Sequence, residues 1–474
     1  MTSLTQDAQL YIDGAFGPAA SGRTGPVHNK ATGEEIGTYA LGGQADVDRA
    51  VAAARAAQAG WAVLAAPERA AMLLKFAAVL QDNYEDLLAQ SMRETGGVRD
   101  KAEDEVGTSI RQLAISAVQA TENAGDILPP YKQGKLSLSR AVPLGVIGLI
   151  TPWNYPMNLA MRAVAPALAF GNTVVLKPGE LTPIIGGGVL ARAAAEAGFP
   201  PGVFNVVTGD GEEAGWPLAT HPGLDMMDFT GSREIGVRIA EANASSLRRI
   251  QLELGGSNAF VVLEDADIEL AASCAMVASL EFGGQTCISA SRHIVLRDVA
   301  DAYVDAITKR AEALVVGDPF DNRTDLGPLI SERQRDRVHE GIVGPSLAMG
   351  ARLVTGATYD GLFYRPTVLA DVTPDMPAFA EEIFGPVLPV TVVDSEREAV
   401  ELVNGYPMLM NSVFSADLMR GMRVAEQLHA GEVHVNDAHA RHGAENQMAG
   451  FTKRQWIGLQ RTPLLLPAWA TGTR

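Results

Sequence analysis

Short apolar runs alternate with helical stretches from Val146 onward, and this alternation constrains the fold more than any other feature of the sequence. Strands that alternate with helices predict parallel βαβ units with helices on both faces of a sheet. A first series has predicted strands at 146–150, 173–176, 204–207 and 226–229. A second series has predicted strands at 248–254, 259–263, 292–296 and 387–393. Two such series predict two α/β domains with a ligand-binding cleft between them.

The segments outside the two series have different patterns. The first 125 residues are mainly helical, with apolar residues at helical spacing over 46–61, 67–90 and 100–123. Residues Lys135–Arg140 alternate polar and apolar side chains, which is typical of an exposed or intermolecular strand. A strand far from the predicted cores needs a partner strand, so we expect a homodimer or homotetramer.

Charge and cysteine content exclude several classes of protein. The chain has 474 residues, 38 of them basic and 56 acidic, and its formal charge of −18 disfavours nucleic acids and anionic membranes as partners. Two cysteines cannot form a disulfide framework, and residues 1–10 lack the apolar core of a signal peptide. No apolar stretch predicts a membrane span. We therefore expect a cytoplasmic protein.

Three motifs of the first series suit a dinucleotide. Gly211 lies in a glycine-rich turn from a strand into a helix, where backbone N–H groups can approach phosphates. Phe229–Ser232 forms a similar turn, and Lys177–Glu180 follows a strand, where its lysine and carboxylate can hold ribose hydroxyls. The carboxylate would favour NAD because it repels a 2′-phosphate. Taken alone, each motif is more often a tight turn, a helix cap or a solvated ion pair.

Three side chains are candidates for covalent chemistry. Cys287 lies among glycines that keep the backbone open around a nucleophilic thiol, whereas Cys274 lies on the apolar face of a predicted helix and suits a structural role. Glu253, between two leucines, is predicted to be partly desolvated, with a raised pKa suited to a general base; a pairing with an arginine is equally consistent. Asn154, in a loop between prolines, could donate its amide to an oxyanion or simply form a turn.

The order of these motifs resembles that of the aldehyde dehydrogenase superfamily, from about residue 10 to about residue 437. The matching segments are Pro-Trp-Asn at 152–154, Lys-Pro-Gly-Glu at 177–180, Phe-Thr-Gly-Ser at 229–232, Leu-Glu-Leu-Gly-Gly at 252–256, Gly-Gln-Thr-Cys at 284–287 and Glu-Ile-Phe-Gly-Pro at 382–386. Within that superfamily the chain is most similar to the benzaldehyde dehydrogenase-like branch, through 159–162 and the Cys-x-Ser-Ala-x-Arg-His run at 287–293.

The resemblance implies NAD(P)-dependent oxidation of an aldehyde to a carboxylic acid. Cys287 would attack the carbonyl to form a thiohemiacetal, with the Asn154 amide and the Cys287 backbone N–H holding the oxyanion. Hydride transfer to the nicotinamide would leave a thioester, and Glu253 would activate the water that hydrolyses it. An aromatic or other hydrophobic aldehyde is the expected substrate, with Met157, Met161 and Arg162 along one helix as its contacts.

The same resemblance implies where NAD, or alternatively NADP, would bind. Lys177 and Glu180 would hold the adenosine ribose, Trp153 and Ser232 would lie by the pyrophosphate, and Glu382 would hold the nicotinamide ribose. The predicted cofactor contacts are Trp153, Lys177, Glu180, Gly211, Phe229, Gly231, Ser232, Leu254, Glu382 and Phe384.

We predict an aldehyde dehydrogenase-like α/β fold with three parts. A Rossmann-like nucleotide-binding domain would cover 1–125 and 143–251, and a catalytic domain would cover 252–437. A small β oligomerisation element and a C-terminal tail would cover 126–142 and 438–474, with a C-terminal strand near Gln455–Gln460.

Two segments depart from the family pattern. After Asp437 the family's glycine-rich loop is missing, a deletion of roughly fifteen residues, and the element at 405–410 is degraded. A catalytically silent binding protein on the same fold is therefore an alternative function, and a thiol esterase is a narrower one. His439 and His442 have a metal-ligand spacing but lack further ligands, so we predict no metal site.

Overall fold

The computed structural model describes residues 4–122, 125–130, 132–406, 408–438 and 448–460. In chain order the strands are β1 Leu10–Ile12, β2 Ala15–Gly17, β3 Thr24–His28, β4 Glu35–Ala40, β5 Gly125–Leu128, β6 Lys135–Pro143, β7 Val146–Ile150, β8 Thr173–Lys177, β9 Phe204–Val206, β10 Met226–Gly231, β11 Arg249–Leu254, β12 Asn258–Val262, β13 Ala290–Leu296, β14 Arg352–Thr355, β15 Tyr359–Asp360, β16 Phe363–Tyr364, β17 Thr367–Ala370, β18 Val387–Val393, β19 Met410–Phe414, β20 Glu432–Val435 and β21 Thr452–Gln460.

The helices of the described residues connect and cover these strands. They are α1 Gln44–Val63, α2 Ala66–Asp82, α3 Tyr84–Thr95, α4 Arg99–Ala120, α5 Pro156–Ala169, α6 Val189–Ala197, α7 Trp216–Thr220, α8 Arg233–Asn243, α9 Ile268–Leu280, α10 Arg297–Ala313, α11 Glu332–Asp336, α12 Gly344–Ala348, α13 Pro377–Ala380, α14 Glu396–Asn404, α15 Leu418–Ala425 and α16 Met448–Phe451. Within the described ranges, no helix is both long enough and apolar enough to cross a membrane.

The first sheet has the order β11-β10-β7-β8-β9-β1-β2 in the described part of the chain. Its strands from β11 to β9 are parallel, whereas β1 runs antiparallel to both β9 and β2. Alternate residues of β8 point into opposite cores, with Val174 and Leu176 on one side and Val175 on the other. The sheet is therefore buried on both faces, as a parallel sheet requires.

The second sheet has the order β14-β17-β18-β13-β12-β19-β20 among the described residues, and all neighbours except β14 and β17 are parallel. It too separates two cores: Ala259 and Val261 of β12 pack on one side, and Phe260 and Val262 on the other. The prediction that the strand near 248–254 opens this second series is wrong. That strand, β11, pairs with β10 in the first sheet, because the change of sheet comes in the short turn after Leu254.

A third, antiparallel sheet confirms the predicted strand at 135–140 and its C-terminal partner. β6 pairs with β5 on one side and along its whole length with β21 on the other. The partner that the alternating pattern requires is thus supplied by the same chain.

The N-terminal segment differs from the prediction in two respects. The helix predicted at 67–90 is two helices, α2 and α3, separated at Asn83. The strands β1 to β4 were missed, because two of them have only three residues and the other two form a small hairpin of their own.

Candidate active site

A cavity of about 460 Å³ opens between the two sheet domains, at the carboxyl ends of β7, β10 and β11. These strands flank the point where the strand order of the first sheet reverses, which is where doubly wound folds bind ligands. The second domain contributes the segments around Cys287 and Glu382. The predicted site residues that line the cavity are Trp153, Asn154, Arg162, Gly231, Ser232, Glu253, Leu254, Cys287, Glu382 and Phe384.

Cys287 follows a turn of unusual backbone conformation. Phe282, Gly283 and Gly284 have φ values of 50°, 62° and 71°, so three successive residues lie in the left-handed region. A Cβ on Gly284 would approach the carbonyl oxygen of Gly385 to 2.3 Å, so only glycine allows these two segments to lie against each other. The half-buried thiol that this turn leads to lines the cavity.

The surroundings of the thiol disfavour its charged form. Burial, the nearby Glu382 carboxylate and Glu253 raise the pKa of Cys287 to about 11, while Arg162 acts in the opposite direction. A thiol with such a pKa is mostly protonated at neutral pH, so its attack on a carbonyl needs a base to take the proton.

Asn154 is buried in the turn between β7 and α5, and its amide nitrogen donates to the carbonyl oxygen of Gln285 at 3.1 Å. This bond ties the first domain to the backbone beside the thiol. An amide nitrogen carries two protons, so a second donor remains for an oxygen in the cavity. The side-chain oxygen of Asn154 is buried without a hydrogen-bond partner.

A buried ion pair contacts the segments that carry Asn154 and Cys287. The Lys101 ammonium lies 2.5 Å from Glu105, and both side chains are at most 1% exposed. Glu105 also accepts from the backbone N–H of Met157 at 2.9 Å, at the start of the helix that follows Asn154. The Lys101 ammonium lies 4.6 Å from the ring centre of Tyr155 and 4.7 Å from that of Phe282. One cation thus contacts both segments that hold the candidate oxyanion donor and nucleophile.

Glu253 lies near the carboxyl end of β11, in register with Thr230 of β10. The expectation that its two leucine neighbours desolvate it is wrong: its side chain is exposed and lines the cavity. Alternate side chains of a strand point to opposite faces, so Leu252 and Leu254 turn toward the core while Glu253 turns away. The side chain is placed to contact water in the cavity.

Glu382 enters the cavity from the second domain. Burial raises its pKa to about 7, with Arg337 acting in the opposite direction. Its Oε1 atom is buried without a hydrogen-bond partner, and a Cβ on Gly255 would lie 2.2 Å from that atom. The carboxylate therefore occupies space that only glycine leaves, with one acceptor available to a ligand hydroxyl.

The segment that carries Glu382 is fixed by two side chains that the sequence did not single out. Arg337 donates to the carbonyl oxygens of Glu382 at 2.7 Å and Ile383 at 2.9 Å, and Gln334 donates to that of Phe384 at 2.7 Å. Phe384 has a φ of 56°, an uncommon conformation that these bonds hold in place. Neither side chain belongs to a recognisable motif, so no signal in the sequence could have identified them.

The Trp153 and Phe384 rings meet across the cavity, with centroids 5.4 Å apart and planes at 85°. A Cβ on Gly179 would lie 2.9 Å from the backbone nitrogen of Trp153, so the loop that contains Lys177 and Glu180 packs directly on the Trp153 loop. The two loops form one continuous edge at the ends of β7 and β8.

Lys177, Glu180 and Gly211 do not line the cavity but lie along this edge, at the ends of β8 and β9. Burial lowers the pKa of Lys177, and the neighbouring Glu180 and Asp210 act in the opposite direction. Glu180 and Gly211 are exposed. A buried ammonium and an exposed carboxylate thus lie together where a ribose could contact both.

Gly231 and Ser232 lie where β10 ends and α8 begins. The Ser232 hydroxyl accepts from the backbone N–H of Ile235 at 3.4 Å, so its capping role is observed. A Cβ on Gly231 would lie 2.5 Å from the ring of Phe229, which explains why this position is glycine. Phe229, one of the predicted cofactor contacts, is 6% exposed and packs in the core, and it does not line the cavity.

Two of the three predicted substrate contacts are core residues. Met157 and Met161 are 0% exposed and pack in the core of the first domain, because they lie on the face of α5 that is turned away from the cavity. Arg162 does line the cavity, together with Leu159 and Ala163 of the same helix. The prediction that Met157 and Met161 contact the substrate is therefore wrong, and Arg162 stays a predicted substrate contact.

Polar residues on the cavity-facing side of β10 and β11 were also missed. Asp228 and Gln251 are neighbours in register and both line the cavity. A signal for Asp228 was present: a lone carboxylate in the apolar run Met226–Phe229 breaks the continuous hydrophobicity of a buried parallel strand.

The C-terminal segment returns to the first domain. Gly450 and Phe451 line the cavity, and the carbonyl oxygen of Phe451 accepts from Asn172 at 3.0 Å. Leu409, in the degraded 405–410 element, forms part of the cavity wall. His439 and His442 and most of the predicted deletion lie outside the described residues.

Comparison with known proteins gives a consistent result. The family model described as the aldehyde dehydrogenase family matches residues 16–462. A benzaldehyde dehydrogenase (NAD(+)) from Pseudomonas putida is 39% identical over 467 residues, covering 94% of this chain and 96% of the relative. A vanillin dehydrogenase from an Amycolatopsis species is also 39% identical, covering 88% of this chain and 86% of the relative.

Solved structures agree with this result. A betaine aldehyde dehydrogenase from Staphylococcus aureus in complex with NAD+ has a TM-score of 0.93 and 30% identity, covering 97% of this chain and 96% of its own. An E. coli structure described as an NADP-dependent enzyme has a TM-score of 0.92 and 31% identity, covering 96% and 98%. The predicted fold class and the similarity to benzaldehyde dehydrogenases are confirmed, and the chain belongs to the aldehyde dehydrogenase family.

Proposed function

We propose that this protein oxidises an aromatic or other hydrophobic aldehyde to the carboxylic acid with NAD, through a covalent intermediate on Cys287. One observation carries the proposal: Cys287, Asn154 and Glu253, from three separate chain segments, line a single cavity at the reversal point of the first sheet. Family membership and relatives named for benzaldehyde and vanillin support the reaction and the substrate class.

In the first half of the reaction, the Cys287 sulfur attacks the aldehyde carbon. The raised pKa of the thiol means that its proton must be taken by a base, and Glu253 is the exposed carboxylate in the same cavity. The carbonyl oxygen becomes an oxyanion of a thiohemiacetal. Asn154 donates its second amide proton to that oxygen, with the backbone N–H of Cys287 as the other donor.

The residues along the cavity suit a dinucleotide. The unpartnered Oε1 of Glu382 is an acceptor for a ribose hydroxyl, and the absence of a side chain on Gly255 leaves room for this carboxylate at the cavity wall. Trp153 and Ser232 lie where a pyrophosphate would pass, and Lys177 with Glu180 lies where the second ribose would follow. NAD would supply the hydride acceptor when bound, and loss of hydride from the thiohemiacetal would leave a thioester on Cys287.

In the second half, Glu253, ionised again once it has given up the thiol proton, takes a proton from a water molecule whose oxygen attacks the thioester carbon. The bond between carbon and sulfur breaks, Cys287 leaves as a thiolate, and the carboxylic acid is free to leave. Exposure of Glu253 to the cavity supports its contact with that water.

The cavity wall supports a hydrophobic substrate. Leu159, Ala163, Leu409 and Phe451 give it an apolar side, while Arg162 is the cation among them. We propose NAD as the preferred cofactor because the exposed Glu180 carboxylate repels the 2′-phosphate of NADP.

The test is production of NADH from NAD and a panel of aldehydes, followed by absorbance. Aromatic aldehydes are expected to react faster than short aliphatic ones, and NADP is expected to support a lower rate than NAD. No reduced cofactor with any aromatic or aliphatic aldehyde, and with either cofactor, would refute the proposal and favour a silent binding protein.

We also propose that the protein assembles as a homodimer or homotetramer through the sheet β5-β6-β21. The alternating strand β6 is paired on both sides within this sheet, but β5 is an edge strand among the described residues. Edge strands of this kind readily add strands of another copy. Sedimentation as a monomer at micromolar concentration would contradict this assembly.

A further inference from the structure

Asp228 is a buried carboxylate that the mechanism above does not use. It is 3% exposed, it lines the cavity, and its Oδ2 atom is buried without a hydrogen-bond partner. A buried carboxylate oxygen without a hydrogen-bond partner lowers the free energy of unfolding. We therefore expect Asp228 to have a function that offsets this loss of stability.

The position of Asp228 relative to Glu253 follows from strand register. On the parallel pair β10 and β11, Asp228 is opposite Gln251 and Thr230 is opposite Glu253. All four side chains line the cavity, while the intervening Met227 and Phe229 pack in the core. Two residues along a strand and one strand across correspond to about 8 Å between the Cα atoms of Asp228 and Glu253. Side chains that point to the same face across that distance can be bridged by one water.

We propose that Asp228 accepts from Glu253 the proton that Glu253 took from the Cys287 thiol, and so returns Glu253 to its ionised form before the thioester is hydrolysed. The inference rests on the proposed function, since Glu253 must act as the base toward both the thiol and the attacking water. Asp228 acts through Glu253 and not on the substrate. The proton passes from the thiol to Glu253 and then to Asp228, which holds it until the acid leaves and solvent enters the cavity.

The surroundings of Asp228 suit this exchange. Burial raises its pKa to about 7, with Glu253 acting in the same direction and Arg162 in the opposite one. A carboxylate with a pKa near neutrality can both gain and lose a proton during turnover. Arg162 also lines the cavity, so the charged groups that influence Asp228 come from β11 and α5.

The test uses the full-length enzyme with NAD and an aromatic aldehyde in a rapid-quench single turnover. NADH formation reports the step before the thioester, and release of the acid reports its hydrolysis. In Asp228→Asn, which keeps the shape of the side chain, NADH formation is expected to stay within about twofold of wild type, while acid release slows by on the order of 100-fold.

A second variant separates proton transfer from structure. Asp228→Ala leaves space for a small molecule, so added formate is expected to restore acid release in part. Formamide has the same size but does not accept the proton, and it is expected to restore nothing.

Three results would overturn the proposal: acid release at the wild-type rate in Asp228→Asn, equal slowing of both steps, or equal rescue by formate and formamide. A rise only in the KM of hydroxylated aldehydes would instead make Asp228 a substrate contact and also overturn it. Wild-type enzyme that forms no NADH would refute the proposed function itself, which is a distinguishable outcome.

Discussion

The proposed dinucleotide site runs from a catalytic end, around Cys287, to an adenosine end, around Lys177 and Glu180, and the two ends are built in different ways. At the catalytic end, Asn154, Cys287 and Glu382 come from distant segments, which are held by hydrogen bonds and by the buried Lys101–Glu105 pair. At the adenosine end, Lys177, Glu180 and Gly211 simply follow successive parallel strands, and two of them are exposed.

The two ends require different degrees of precision. A covalent reaction needs its groups held within fractions of an ångström, so the catalytic end has strained backbone and buried charges around it. The side chains that bind a ribose can be positioned less precisely, and the ends of adjacent strands position them well enough. Substitutions at the catalytic end should therefore have large effects on activity or stability, and substitutions at the adenosine end should have small ones.

The largest effect is expected for Cys287→Ser. A hydroxyl is a far weaker nucleophile than a thiolate, so kcat for NADH formation should fall by on the order of 10⁴-fold. Cys274→Ser is the matched control, because Cys274 is half-buried, packs against a core of the second domain and does not line the cavity. Equal loss in both variants, or none in either, would contradict the role of Cys287.

Removing the Lys101 ammonium, which contacts the segments of the catalytic end, should destabilise the fold. Lys101→Met leaves Glu105 as a lone buried charge, and the free energy of unfolding should fall by about 3–5 kcal/mol. Denaturant unfolding measures this change. The double variant Lys101→Met with Glu105→Gln removes the lone charge and should recover most of the loss. A single variant as stable as wild type would show that this ion pair does not support the site.

Asn154→Ala tests the oxyanion donor. Loss of one preorganised donor should lower kcat by about 10²- to 10³-fold, with little change in the KM for NAD. Steady-state kinetics with an aromatic aldehyde provides both numbers. If the loss lay in the KM for NAD instead, Asn154 would belong to the binding of the cofactor.

The thiol should respond steeply to pH in the absence of cofactor. Because its pKa is raised to about 11, the thiolate fraction of Cys287 increases about tenfold per pH unit below that value. Alkylation by iodoacetamide, corrected with the Cys287→Ser variant, should therefore be about 100-fold faster at pH 9 than at pH 7. A rate that levels off below pH 8 would mean that the thiol is already ionised in the free protein.

The smallest effect is expected at the adenosine end. Glu180→Gln keeps a hydrogen-bond acceptor but loses the charge, so the KM for NAD should rise about fivefold and the preference for NAD over NADP should narrow. Glu196→Gln, an exposed residue of α6, is the control. An unchanged cofactor preference in Glu180→Gln would remove Glu180 from the ribose site.

The contrast between the two ends also decides what the sequence can predict. The strands at 146–150 and 173–176 and the loops after them follow from local pattern, and so do the residues of the adenosine end. The position of β11 in the first sheet cannot be predicted in this way, because the sequence of a strand before a short turn does not show which sheet the strand joins. The contacts of Lys101, Gln334 and Arg337 with the site depend on segments far apart in the chain, which no local pattern reports.

The face of a helix is a further limit. The 3.6-residue period of α5 predicts that Met157 and Met161 lie on one side, but not whether that side faces a core or a cavity. Both sides of α5 are covered, since the helix packs between the first sheet and α4. Of the three predicted substrate contacts, the one that lines the cavity is Arg162, whose charge the core could not accept.

Trapping the covalent intermediate tests directly whether Cys287 is the nucleophile. Enzyme mixed with NAD and an aromatic aldehyde, quenched in acid within the first turnover, is digested and its peptides are weighed by mass spectrometry. The acyl mass is predicted on the peptide that contains Cys287 and on no peptide that contains Cys274. Acid formed at full rate with Cys287 unmodified throughout, or an acyl group carried elsewhere, would contradict the claim that this thiol performs the chemistry.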